Sequence, residues 1–111
     1  MKLIAKKITN GIQKAYYVGG ELARVSQYKN GKQHGLCKFY LKNGTLRAFG
    51  KFSNGKMNGT WKWYREDGKL WQIGTFKSNV KHGPWKIYDK KGKMQFSYVF
   101  KDGKKISSRK A

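Results

Sequence analysis

The chain of 111 residues carries 26 Lys and Arg against 5 Asp and Glu, a formal net charge of +21. Its 15% aromatics, 14 glycines, single proline and single cysteine fit one domain or one short repeat array and exclude an internal disulfide. No apolar run approaches the roughly 18 residues of a membrane-spanning helix, and Met1-Lys2-Leu3-Ile4-Ala5-Lys6-Lys7 is too short in apolar residues for a secretory leader, so a cytoplasmic protein is expected.

The sequence repeats. Gly11, Gly35, Gly59 and Gly83 are 24 positions apart, and Gly20, Gly44, Gly68 and Gly92 form a second column at the same period. Lys14, Lys38, Lys62 and Lys86 align, as do Tyr16, Tyr40, Tyr64 and Tyr88, and Tyr28, Phe52, Phe76 and Phe100. A fixed period of this length marks a repeat architecture in which each unit buries its apolar face against the next.

In chain order, residues 1–11 read as a half-repeat that caps the array, with Ile4 in the Phe52/Phe76 column. Residues 12–35 form a degenerate first repeat, with strands at 12–18 and 21–29 and with Gln13 and Ala15 where later repeats carry aromatics. Repeats follow at 36–59, 60–83 and 84–107, and the tail 108–111 is expected to fray, beginning at Ser107.

Within a repeat the apolar residues alternate with period two, which predicts strands. Asn43-Gly44 predicts a two-residue hairpin turn that sets Leu41 against Leu46, Phe39 against Ala48 and Cys37 against Gly50. In the next repeat the same logic sets Arg65 against Leu70, Trp63 against Gln72 and Trp61 against Gly74. The segments at 30–35 and 54–59 are expected as longer connections between repeats. The fold predicted is all-β: a single elongated, twisted antiparallel meander sheet built from 24-residue β-hairpin repeats.

One face of that sheet should carry Cys37, Phe39, Trp61, Trp63, Trp85 and Ile87 over the small residues Gly50 and Gly74. The other should carry Lys38, Tyr40, Lys62, Tyr64, Trp71, Ile73, Lys86 and Tyr88. Catalysis needs a clustered acid, base or nucleophile. Glu66, Asp67, Asp89 and Asp102 instead sit at or near turns, His34 and His82 share one corner of the repeat with Asn58, and Cys37 falls in the Trp61/Trp85 column. No enzyme, metal site or cofactor is expected. The partner-binding residues expected are Lys38, Tyr40, Lys62, Tyr64, Trp71, Lys86 and Tyr88, joined by Trp61 and Trp63 as aromatic anchors.

The units G-T-W-K-W-Y-R-E-D-G-K-L-W-Q-I-G-T-F-K-S-N-V-K-H-G and G-P-W-K-I-Y-D-K-K-G-K-M resemble MORN-variant repeats over residues 11–107, nearly the whole chain. A chain made almost entirely of such units is similar to the YwqK-type antitoxin or immunity family. That resemblance implies a non-enzymatic binding protein that neutralises a toxin or effector, and the wider MORN group implies binding to proteins or phospholipids. The charge directs the expectation to a partner with an acidic or nucleic-acid-bearing surface, including a phage-type inhibitor of a nucleic-acid-guided system. Direct binding of single-stranded nucleic acid through the Lys and Tyr columns is the alternative. Anionic phospholipid ranks last, because no amphipathic helix or lipidation motif supports it. A monomer or an edge-paired dimer is expected.

Overall fold

The computed structural model describes residues 10–110. The half-repeat strand expected at residues 1–5 lies outside them. The strands are β1 (Gly11–Tyr16), β2 (Leu22–Lys29), β3 (Lys32–Tyr40), β4 (Leu46–Ser53), β5 (Lys56–Tyr64), β6 (Leu70–Lys77), β7 (Val80–Tyr88), β8 (Met94–Lys101) and β9 (Lys104–Lys110). They pair antiparallel in sequence order into one open sheet. The fold is the all-β meander that the period predicts, and no helix among the described residues is long and apolar enough to cross a membrane.

The two kinds of turn are the reverse of the expectation. The connections at Asn30-Gly31, Asn54-Gly55, Ser78-Asn79 and Asp102-Gly103 are two-residue turns with both φ values positive, the arrangement that matches strand twist. At 41–45 only Gly44 has positive φ. There the Leu41 N–H donates to Thr45 O and the Gly44 N–H donates to Leu41 O, both at 2.9 Å. This three-residue loop ends in a glycine bulge. Leu46 therefore faces Tyr40 rather than Leu41, and Leu70 faces Tyr64 rather than Arg65. Beyond each bulge the expected pairs hold: Phe39 with Ala48, Cys37 with Gly50, Trp63 with Gln72 and Trp61 with Gly74. The tail is also paired: β9 runs to Lys110, which faces Phe96.

A single layer makes its core from rings laid on backbone. Trp61 is 2% exposed and Trp85 5% exposed, with Cys37 and Ala48 also buried. Trp61 lies on Gly50 and Trp85 on Gly74, so closely that a Cβ at either glycine would enter the indole. Phe52 meets Trp61 edge-on, Phe76 meets Trp85 edge-on, and Trp63 and Trp85 stack at 5.4 Å. The indole N–H groups are satisfied: Trp61 Nε1 donates to Lys51 O and Trp85 Nε1 to Gln72 Oε1, both at 3.0 Å. Burial pushes the Cys37 thiol above its ordinary pKa, partly offset by the Arg24 charge.

At one end of the sheet a polar column joins successive repeats. Asn10 Oδ1, His34 Nδ1, Asn58 Oδ1 and His82 Nδ1 accept from the backbone N–H of Asn30, Asn54, Ser78 and Asp102, at 3.2–3.3 Å. The corner role read for the histidines holds, and it requires an acceptor rather than an imidazole. His34→Asn is therefore expected to keep the wild-type urea midpoint. His34→Ala should lose about 1 kcal/mol by leaving the Asn54 donor without its partner. Equal midpoints for both variants would remove the corner bond from the account of stability.

Candidate functional site

The pleat sends alternate side chains to opposite faces, so one row can be followed through the registers of all the pairs. It reads Lys14, Val25, Lys38, Phe49, Lys62, Ile73, Lys86, Ser97 and Arg109. Every odd strand contributes a cation and every even strand an uncharged residue. The cations are thus about 10 Å apart, two strand spacings. Lys14, Lys38, Lys86 and Arg109 are exposed and Lys62 is half-buried.

The last cation is unexpected. The 24-residue period puts Lys110 in the lysine column. Gly35, Gly59 and Gly83 lie within β3, β5 and β7 with φ of 105°, 76° and 95°, and there the register with the preceding strand shifts. The corresponding position in β9 is Ser107, which has no positive φ. A side chain at φ > 0 is strained, so the bulge is smaller, the register differs, and Arg109 enters the row opposite Ser97.

Below the cations lie Tyr40, Tyr64 and Tyr88, half-buried, with Trp71 41% exposed on the same face. Phe49 stacks on Tyr64 with centroids 6.3 Å apart and an interplanar angle of 9°, and Lys62 Nζ sits 5.7 Å above the Phe49 ring. Arg65 crosses Trp71 at 6.0 Å and donates from Nη2 to Tyr88 O at 2.9 Å, tying one hairpin to the next. Between the ridges are two shallow recesses of about 270 and 190 Å³. Val25, Lys38 and Tyr40 line the first, and Ile73, Lys86 and Tyr88 the second. The two sets differ by two repeats. The intervening position is filled by Phe49.

Seven of the nine expected partner-binding residues therefore share this face: Lys38, Tyr40, Lys62, Tyr64, Trp71, Lys86 and Tyr88. Trp61 and Trp63 do not. Both stand on the opposite face, within the ring stack, and Trp61 is too buried to anchor a partner. Two things were missed by reading residues as candidate ligands. Val25, Phe49 and Ile73 form an apolar column at the 24-residue period that was visible in the sequence. Arg109 had no such signal, because its place depends on a bulge that β9 lacks.

The acids stay off the row. Asp67 Oδ1 accepts from the Lys69 N–H at 3.0 Å, closing its turn. Asp89 Oδ1 accepts from the N–H groups of Lys91 and Lys93 at 2.9 and 3.0 Å. The bond from Lys93 leads in holding the Asp89 carboxyl below its usual pKa, with the Lys91 bond and both lysine charges adding to it. The row itself is thus wholly basic, with Glu66 beside Tyr64 and Trp71 at its margin, a charge pattern that suits an anionic surface and steers its approach.

No curated protein matches the chain. Family models do: the MORN repeat variant matches residues 57–78 and 81–102, and the MORN repeat matches residues 25–46. Each match to the variant covers one hairpin, β5–β6 or β7–β8, from beside one two-residue turn to the next. MORN repeats act in binding, to membranes or to other proteins. Together the matches span more than half of the residues, and the chain belongs to the MORN-repeat proteins.

Proposed function

We propose that the chain is a non-enzymatic binding protein whose lysine-bearing face docks on, and blocks, a protein with an acidic surface. The observation that carries this reading is the row of five cations, uninterrupted by an acid, across every strand of the sheet. Blocking a toxin or effector is the role that the resemblance to YwqK-type antitoxins implies. Tyr40, Tyr64, Tyr88 and Trp71 add ring surface beside the charges, the residue types that dominate contact energy at interfaces.

Charge alone attracts any polyanion, so the test must hold total charge fixed. Lys38→Glu/Lys62→Glu/Lys86→Glu removes the row. Lys42→Glu/Lys56→Glu/Lys77→Glu makes the same change in net charge at exposed positions outside it. Pull-downs from nuclease-treated lysate at physiological salt should retain one defined acidic protein on the wild type and on the second variant, and lose it on the first. Equal retention by both variants would make the row a solvated surface. Retention that disappears with nuclease would favour nucleic acid as the ligand.

A further inference from the structure

The spacing of the row says more about the partner than its charge does, given that the row is the docking face. Along it, cation and uncharged residue alternate at one strand spacing, about 4.8 Å. An α-helix lying across the strands presents one side chain per turn on a given line, at i, i+3 or i+4 and i+7, every 5.4 Å or slightly less. Two such steps span about 10.5 Å, against about 10 Å between neighbouring cations. From Lys38 to Lys86 is four strand steps, about 19 Å, and residues i to i+14 of a helix span about 21 Å. The flexible four-carbon lysine stems absorb that difference.

Other shapes fall out of step. An extended strand repeats on one face every 6.6–6.8 Å or so. Its second side chain would lie roughly 13 Å along, past the next cation. Charge complementarity then specifies what the helix carries: carboxylates seven residues apart over Lys38, Lys62 and Lys86. Midway between them, three or four positions on, apolar side chains would meet Phe49 and Ile73, and one half-heptad beyond Lys38, on the Lys14 side, would meet Val25. The recesses floored by Val25 and Ile73 can each receive one such side chain, whereas the raised Phe49 ring needs a small one opposite it.

We propose that the partner's contact element is an acidic amphipathic helix laid along the row, across the strands, with its carboxylates at heptad spacing and apolar residues between them.

Binding of fluorescently labelled synthetic peptides, followed by anisotropy at physiological ionic strength, tests this. One three-heptad helix carries Glu at every seventh position, with Leu midway except for Ala at the one midway position that falls over Phe49. A second has the same composition and helicity, with the Glu residues rotated out of the heptad line. A single-stranded oligothymidylate is the third probe. The ordered helix should bind about tenfold or more tightly than the permuted one. That preference should vanish in Lys38→Glu/Lys62→Glu/Lys86→Glu and persist in Lys42→Glu/Lys56→Glu/Lys77→Glu, with thermal melts showing both folded. Equal affinity for the two helices, lost only in the row variant, overturns the helix proposal and leaves the docking face standing. Tighter binding of the oligothymidylate than of the ordered helix overturns the helix proposal in favour of a nucleic-acid ligand. If both variants bind all probes alike, the docking face falls as well.

Discussion

Gly50→Ala is expected to destabilise the chain by about 3 kcal/mol, the upper end of ordinary overpacking. The cause is not backbone strain, since Gly50 is not among the positive-φ glycines. The added Cβ would fall among Cγ, Cδ2 and Cε2 of the Trp61 indole. The ring cannot slide away. Its Nε1 donates to Lys51 O, Phe52 meets it edge-on at 5.2 Å, and Phe39 and Trp63 flank it at 6.3 Å. The urea midpoint should fall with the slope of the transition kept, because the surface exposed on unfolding hardly changes. Gly44→Ala would be strained for a different reason, its φ of 90°, although open space surrounds it.

The clash belongs to a rule that runs along the array. Facing pairs at the junctions between repeats are Ser26 with Cys37, Gly74 with Trp85 and Tyr98 with Ser108, while Trp61 covers Gly50. Where the ring is a tryptophan its neighbour is glycine and the Tyr98 ring faces a serine, whereas Ser26 and Cys37 are small on both sides, so a serine faces a residue of that column only where no indole lies over it. Gly50→Ser/Trp61→Cys copies the Ser26/Cys37 pair into the next junction. The double variant should therefore be more stable than the sum of its single losses, by about 1 kcal/mol or more of coupling. Strict additivity would mean that the glycine and the ring are not one packing unit.

The period of 24 residues made the strands, their order and the two faces legible, because alternation and spacing depend on local sequence and on neighbour stacking alone. The turns were misread for a physical reason. Asn43-Gly44 and Asn54-Gly55 are the same dipeptide, yet only the second adopts positive φ at both residues. What separates them is the residue before: Leu41-Lys42 lead into a loop closed by the Leu41 and Thr45 backbone, whereas Ser53 pairs directly with Lys56. The aromatics carried a second ambiguity. Trp61, Trp63 and Trp71 look alike as possible anchors, but the pleat lays Trp61 over Gly50, sets Trp63 half-buried between Trp61 and Trp85, and leaves Trp71 on the lysine face. Exposure is a tertiary property of a ring and of what lies beneath it. The row of cations was half legible: its lysines follow the period, and Arg109 replaces Lys110 only because Ser107 stands where three glycines stood.

Trp61→Ala is expected to have the largest effect of a single substitution, about 3–5 kcal/mol, a large share of the 5–15 kcal/mol or so that domains possess. The side chain is 2% exposed, and its removal strips contacts from Phe39, Phe52 and Trp63 while baring Gly50. Position matters as much as size. Each hairpin packs only on its neighbours, so a break at β4–β5 divides the array into two parts that stabilise each other weakly. The unfolding transition should broaden, with a lower apparent slope than in the wild type. Cys37 reports which side opens. It is 1% exposed, with its thiol pKa raised by burial, so reaction with a thiol reagent requires local opening. Labelling should accelerate strongly in Trp61→Ala, whose cavity lies one hairpin away. It should accelerate less in Trp85→Ala, where the loss falls a further repeat along. Equal acceleration in the two variants would show that the sheet unfolds as one unit. A loss below about 1 kcal/mol in Trp61→Ala would show that rings over glycines are not what replaces the missing second layer.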